Sequence, residues 1–164
     1  FNGHNKYYAN ISNHLLSINA KKYCEINKYL LPTGKILKSE GTKFDFLKFK
    51  EIGSKILRQK GIDNYFVLNS NQHKLNKLVE LYSPSTKMGM RLFSNQPGFQ
   101  FYTGNNMNKN YIGKHGRYYG KYYGLCLEPQ KYPNAINTKN FSSIILKKNS
   151  IYKSTIKFCL KNDY

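Results

Sequence analysis

Glu128 is the carboxylate of this chain whose neighbourhood best suits proton transfer. It ends the stretch YGLCLEPQ, where it follows Leu125 and Leu127 and, by strand alternation, shares a face with Gly124 and Cys126. Pro129, next in the chain, biases it toward an extended backbone. A carboxylate partly withdrawn from water in such a place has a raised proton affinity and can serve as a general base. The more frequent role of a strand-end glutamate among many lysines is an ion pair, and both readings stand at this point. Asp63, in KGIDNYFVL, follows a glycine-containing turn and opens an apolar run, which suits an Asx turn or a ligand-holding carboxylate. Gln100 lies in PGFQFYTGNN, where Phe99 and Phe101 alternate with Gln100 and Tyr102 before a break at Thr103-Gly104-Asn105. A glutamine on the polar face of a strand is ordinarily solvated, so it gains functional meaning only if other groups converge on it.

Other chemistries find little support. His4, His14, His73 and His115 lie in separate segments with no HxH or HExxH spacing, and Cys24, Cys126 and Cys159 are odd in number with no CxxC pair. Neither a metal site nor a disulfide framework is expected, and a reduced, cytoplasmic setting is the default. No GxSxG, no GxGxxG after a strand and no GxxxxGK[ST] occurs; GKHGRYYGK is only a basic, glycine-rich loop. The sequence therefore predicts no cofactor.

The elements that must position these residues read as strands. HLLSINA is short and β-compatible, LLPTGKI sets Pro32 and Gly34 in a turn, and TKFDFLKF places Phe44 and Phe46 opposite Lys43 and Asp45. EIGSKILRQK predicts a short helix weakened by Gly53. NYFVLN, LVELYS, KMGMRLF and FQFYT follow as strands, then a polar, glycine-rich connection from Asn105 to Lys121, then YGLCLEPQ, FSSIIL and IYKSTIKFCL. In the last, Tyr152, Ser154, Ile156, Phe158 and Leu160 alternate with Lys153, Thr155, Lys157 and Cys159. Short strands recurring about every 8 to 15 residues, with few helical periods, predict an antiparallel all-β sandwich or barrel.

Composition bounds the rest. The 164 residues are 40% hydrophobic with 15 Tyr and 10 Phe, enough for one folded domain with a core. A net charge of +19 raises nucleic acid or an anionic membrane as partners. The basic residues are dispersed, however, and only three of the 27 (Arg58, Arg91 and Arg117) are arginines suited to bidentate phosphate or guanine contacts. A lysine bias spread over solvated faces accounts for the charge, so neither nucleic acid nor a membrane is expected as partner. No apolar run reaches the roughly 18 residues of a membrane span.

Taken in order, INAKKYCEINKYLLPTGKI, TKFDFLKFKEIG, GIDNYFVL, PGFQFYTGN and EPQKYPNAINTKNFSS resemble the C-terminal half of the aldose 1-epimerase (galactose mutarotase) family. The family patterns there are INADxYLPxxxxxIPTGEI, TPFDFRxPxxIG, GxDHxFVL, PGLQFYTGN and ETQxxPDAxNxPNFPS, five motifs in the same order over nearly all of Ile18 to Leu146. The resemblance implies a large antiparallel β-sandwich, the galactose mutarotase-like supersandwich, that binds a hexose such as galactose or glucose in an open groove and interconverts its α and β anomers. It implies that Glu128 removes the anomeric hydroxyl proton, that a histidine protonates the ring oxygen, and that Asp63 and Gln100 hold sugar hydroxyls. No metal is required, because moving two protons suffices.

The departures carry weight as well. The family's acid histidine lies in a TNHSYFNL-like segment, of which Phe1-Asn2 resembles the FN, so residues 1–164 are expected to form one domain without the N-terminal half that bears the acid. His14 matches a histidine of a later strand. Pro129 stands where the family has the Thr of ETQ, Asn64 where it has the His of GxDH, Lys43 for a Pro, and Lys139 and Ser142 for the prolines of PNFP. The expectation is an aldose 1-epimerase with weak or absent activity in this chain alone, and a tendency to associate through unpaired strand edges. The alternatives are a non-catalytic carbohydrate-binding homologue, or a basic nucleic-acid-binding module recognisable by steep salt dependence.

Overall fold

Among the described residues, alternating apolar and polar side chains build ten strands that pair into two antiparallel sheets. The computed structural model describes residues 10–68, 74–108, 112–113, 116 and 118–162. The strands are β1 (Leu15–Ile18), β2 (Lys22–Ile26), β3 (Pro32–Lys38), β4 (Lys50–Glu51), β5 (Asp63–Val67), β6 (Asn76–Ser83), β7 (Met88–Ser94), β8 (Gly98–Tyr102), β9 (Cys126–Gln130) and β10 (Ile156–Asn162). One sheet runs β10-β7-β6-β1-β4 and the other β3-β2-β5-β8-β9. The expected all-β sandwich is the observed architecture. Among the described residues, no helix is long and apolar enough to cross a membrane.

The sheets meet over one core. Leu16 and Ile18 of β1, Leu78 and Leu81 of β6 and Leu92 of β7 face Phe66 of β5 and Phe99 and Phe101 of β8, all buried. Phe66 stacks on Phe99 with centroids 5.6 Å apart, and Phe46 meets Phe101 edge-on at 6.2 Å. Such pairs contribute about 0.5–1.5 kcal/mol each beyond their area burial, and they fix which face of β5 and β8 points inward. The opposite face, carrying Asp63, Tyr65, Gln100 and Tyr102, is thereby turned away from that core.

A second, smaller cluster covers part of this outer face. Cys24, Tyr65 and Val67 pack against Ala135 and Phe141, with Tyr132 stacked on Phe141 at 4.6 Å. The chain after β9 thus folds back over one end of the sheet and leaves the other end open.

Four local expectations are corrected. Pro32 and Gly34 lie within β3; the turn is at 27–31, where Asn27 Oδ1 accepts from the amides of Tyr29 and Leu31. Gly34, at φ +90, sits where the β2–β3 register shifts, so it serves a bulge, and Pro32 is tolerated because β3 is an edge strand. TKFDFLKF is turns and bends although Phe44 and Phe46 are buried; Asp45 closes that loop by accepting from the amides of Gly41 and Leu47. FSSIIL pairs with no strand: Phe141 anchors it, and Ile145 and Leu146 are exposed. β2 escaped the sequence reading because KYCEI carries two charges, yet Cys24 on it is fully buried. The helix is α1 (Ser54–Arg58), and Gly53 precedes it at φ +81 as its N-cap residue. Of the glycine-rich connection from Asn105 to Lys121, residues 109–111, 114–115 and 117 lie outside the described residues, as do His4, His73 and His115.

Candidate functional site

Three adjacent strands bring the singled-out polar residues to one patch. Gln100 on β8 lies directly opposite Glu128 on β9, and Asp63 on β5 lies opposite Tyr102 on β8. Directly opposed residues of an antiparallel ladder have Cα atoms about 4.5–5.5 Å apart and side chains on one side of the sheet. The open face therefore carries two rungs, one with Gln100 and Glu128 and the next with Asp63, Tyr102 and Cys126. Gln100 Nε2 donates to Asp63 Oδ1 at 2.7 Å, which joins the two rungs diagonally.

Each of the three has a distinct support. Asp63 opens β5 under a clamp: the Ile62 amide donates to Thr103 Oγ1 at 2.8 Å, and Asn105 Nδ2 donates to Ile62 O at 3.1 Å. Gly61, at φ +66, allows this approach, since a Cβ there would stand 2.2 Å from Asn105 Oδ1. Lys43 also braces the turn, donating to Gly61 O at 2.9 Å, which gives a structural role to the lysine that replaces a family proline. Its ammonium is partly withdrawn from water, and that burial lowers its pKa. The Asx turn open to Asp63 on sequence grounds is replaced by the bond to Gln100.

Gln100 is held from below by the Phe99 and Phe101 rings on the core side. Its neighbour across the β5–β8 ladder is Tyr65, on the same face, whose hydroxyl donates to Gln130 O at 2.9 Å and ties β9 to β5. Burial raises the pKa of Tyr65, with further contributions from Tyr132 and Cys24, which keeps it a neutral donor.

Glu128 differs from expectation in its solvation. It is exposed, on an edge strand of its sheet. Among the described residues no lysine or arginine pairs with it; the described ion pairs are Lys35–Glu25, Lys77–Glu80 and Arg91–Glu80. The carboxylate therefore stands exposed on the outer face of its sheet. The Cys126 thiol is pushed up in pKa by desolvation first and then by the negative charges of Glu128 and Asp63, so both carboxylates act electrostatically on the same spot.

His14 does not join them. It is buried at 2% exposure on the inner side of the other sheet, where it lines an apolar cavity with Ile11, Leu81, Met90, Leu127 and Phe158. Burial lowers its pKa to about 4. Asn64, the residue after Asp63, also points away, donating to Cys24 O at 3.2 Å.

Sequence reading missed two residues here. Tyr102 stands between Asp63 and Cys126, and its hydroxyl accepts from the Asn106 amide at 2.8 Å. Its position in FQFYT, two residues after Gln100, was the signal for it. Tyr65 had no such signal, since its role depends on β9 lying two strands away.

Known proteins share this arrangement of strands and motifs. A family model described as Aldose 1-epimerase matches residues 1–159. Galactose mutarotase from Homo sapiens is 32% identical over 151 residues, covering 91% of this chain and 44% of that protein. Galactose mutarotase from Sus scrofa is 34% identical over the same shares. Aldose 1-epimerase from Streptococcus thermophilus is 27% identical over 157 residues, covering 90% of this chain and 45% of that one. Among solved structures, a GalM/aldose epimerase homologue from C. elegans superposes with a TM-score of 0.84 at 21% identity, covering 94% of this chain and 47% of that chain. Galactose 1-epimerase from Lactobacillus acidophilus superposes with a TM-score of 0.68 at 24% identity. The chain thus spans less than half the length of the curated relatives it matches.

Proposed function

The chain belongs to the aldose 1-epimerase family, and from that premise we propose that its open face is the sugar-binding and proton-abstracting part of a site that interconverts the α and β anomers of hexoses. The observation that carries this reading is the convergence of Asp63, Gln100 and Glu128 on one face, with Gln100 bonded to Asp63 at 2.7 Å and opposed to Glu128. Glu128 takes the proton of the anomeric hydroxyl. The freed electron pair forms the carbonyl double bond at the anomeric carbon, the bond from that carbon to the ring oxygen breaks, and its pair, left on the ring oxygen, takes up a proton. Rotation about the bond between the first two carbons and reclosure give the other anomer.

Asp63 and Gln100 hold hydroxyls of the sugar and keep the anomeric carbon over Glu128. Holding the reactant against the base in this way converts orientation into rate. Asp63 Oδ2 and the Gln100 carbonyl lie outside their mutual bond, so together they offer acceptors to a polyol. An exposed carboxylate also suits an exchange that must release its proton again in every turnover.

The acid that protonates the ring oxygen is assigned, through the resemblance, to a histidine outside these 164 residues; buried His14 faces the interlayer core instead. The chain alone is expected to bind hexose with little or no turnover. A second reading, sugar binding without catalysis, is favoured by the same placement of His14.

Polarimetry of freshly dissolved α-glucose and α-galactose tests the reading, using the chain and a Glu128→Gln variant with spontaneous mutarotation subtracted and sugar binding measured in parallel. Acceleration that disappears in the variant supports Glu128 as the base. Saturable binding without acceleration selects the second reading for the isolated chain. Equal acceleration by both proteins rejects Glu128, and folded protein that neither binds nor accelerates rejects the proposal.

A further inference from the structure

The sheet that carries Glu128 on one edge strand has β3 as its other edge, and there the turn from β2 to β3 is an exposed apolar tip. Tyr29, Leu30 and Leu31 are 70%, 53% and 50% exposed. Apolar side chains exposed singly are ordinary, but three in a row on one turn mark a contact surface.

The tip is held in shape. The Asn27 amide donates to Leu31 O at 2.9 Å, and its carbonyl accepts from the Leu30 amide at 3.0 Å. Its Oδ1 accepts from the amides of Tyr29 and Leu31 at 2.9 and 3.2 Å. Leu30 lies at φ +64, in the left-handed region where hairpin loops carry glycine or asparagine. A leucine there strains the backbone, and because it is exposed it gains no core burial to offset that strain. Such a residue points to a role outside the fold.

The same hairpin concentrates positive charge. Over residues 21–38, Lys21, Lys22, Lys28, Lys35 and Lys38 stand against Glu25 alone. Lys22 lies directly opposite Lys38 on the β2–β3 ladder, a like-charge rung that a nearby anion would relieve. Glu25 is 3.9 Å from Lys35. Lys28 Nζ stands 5.0 Å from the centre of the Tyr29 ring, so an ammonium sits beside the apolar tip. Tyrosine at headgroup level, leucines in the acyl boundary and lysines on phosphates are the pattern of an element docked on an anionic bilayer. A nucleic acid would engage the lysines and leave the leucines in water, which selects lipid.

We propose that the β2–β3 tip docks this protein reversibly on an anionic lipid surface, against the expectation of no membrane partner drawn from lysines dispersed along the sequence. Leu30 and Leu31 enter the acyl boundary, and Lys28 meets the headgroups. Docking engages the edge of the sheet opposite Glu128, so the inference stands independently of the function proposed above.

Cosedimentation of the 164-residue chain with vesicles of phosphatidylcholine, alone or mixed with phosphatidylserine, tests it, alongside Leu30→Gly and Lys28→Glu variants and urea unfolding of each. Binding to the phosphatidylserine vesicles is expected to be on the order of tenfold stronger, falling as salt is added. Leu30→Gly should weaken it about tenfold while the urea midpoint holds or rises, since glycine adopts this backbone conformation without strain. Lys28→Glu should weaken binding to the phosphatidylserine vesicles and leave binding to phosphatidylcholine unchanged. Folded protein that sediments with neither vesicle overturns the inference, as does equal binding to both. Binding undiminished in Leu30→Gly overturns it too, by assigning the attraction to a net charge of +19 that would act on any polyanion. A lowered urea midpoint in Leu30→Gly assigns Leu30 to packing within the fold and rejects its part in docking.

Discussion

Gln100 and Asp63 are coupled: the amide Nε2 of one donates to Oδ1 of the other at 2.7 Å, across neighbouring strands and one rung apart. A charge-assisted bond of this kind is stronger than one between neutral partners. It holds the two side chains in fixed orientations relative to each other.

Under the proposed function, replacing Asp63 by Ala removes one sugar contact and frees the amide of Gln100. Hexose affinity is expected to fall on the order of 10- to 100-fold, from about 1–3 kcal/mol for a lost charged partner. Gln100→Ala should have a smaller effect, and the double variant should lose less than the sum of the two, because the residues share a bond. Calorimetric titration with galactose checks all three.

The turn before Asp63 is sterically unforgiving. Gly61→Ala would place a Cβ 2.2 Å from Asn105 Oδ1 and 2.4 Å from Thr103 Oγ1 at a φ of +66. A loss of roughly 1–3 kcal/mol is expected, read as a lowered urea midpoint. Sugar affinity should fall with it, since Asp63 begins the strand that this turn launches.

His14 makes stability depend on acidity. Its pKa is lowered by burial from 6.5 to about 4, so the unfolded chain binds the proton more readily. Its contribution is complete above pH 6.5 and is lost as pH falls toward 4, amounting to about 3 kcal/mol across that window. His14→Leu should flatten this dependence in urea unfolding between pH 4 and 7. An unchanged slope would assign the loss to other groups.

Tyr65 ties the edge strand to the sheet through the bond from its hydroxyl to Gln130 O at 2.9 Å. Tyr65→Phe should cost about 0.5–1.5 kcal/mol. Hydrogen exchange should quicken at the amides of β9 while β5 stays protected; equal loosening of both strands would contradict the assignment.

One face of β10 is apolar and uncovered. Ile156, Phe158 and Leu160 lie opposite Ser94, Leu92 and Met90 on the core side of their sheet, yet they are 46%, 56% and 61% exposed. Patches of this kind beside an edge strand promote association. Phe158→Lys is expected to raise the monomer fraction in sedimentation, with stability changed by less than about 0.5 kcal/mol.

Much of the site was legible because a strand's two-residue period is local. Asp63, Gln100 and Glu128 each sit in a short alternating run, and alternation alone put Phe99 and Phe101 on the side opposite Gln100. What no local pattern carries is register. That Gln100 faces Glu128 follows from β8–β9 pairing across the 27 residues between them. The same gap explains the misreading of TKFDFLKF, whose period imitates a strand but whose backbone has no ladder to join, and of β2, whose charged residues hid a buried cysteine. It also explains why Glu128 was expected to be partly desolvated: its position at the rim of a sheet is a fact about neighbours.

Strand order also divides the mechanical properties of the site. β5 and β8 each have a neighbour on both sides, whereas β9 is paired on one flank among the described residues. Asp63 and Gln100 therefore stand on a platform clamped along two seams, and Glu128 stands on a cantilever. In the proposed function, the groups assigned to hold the sugar stand on doubly paired strands and the group assigned to exchange the proton stands on a singly paired one.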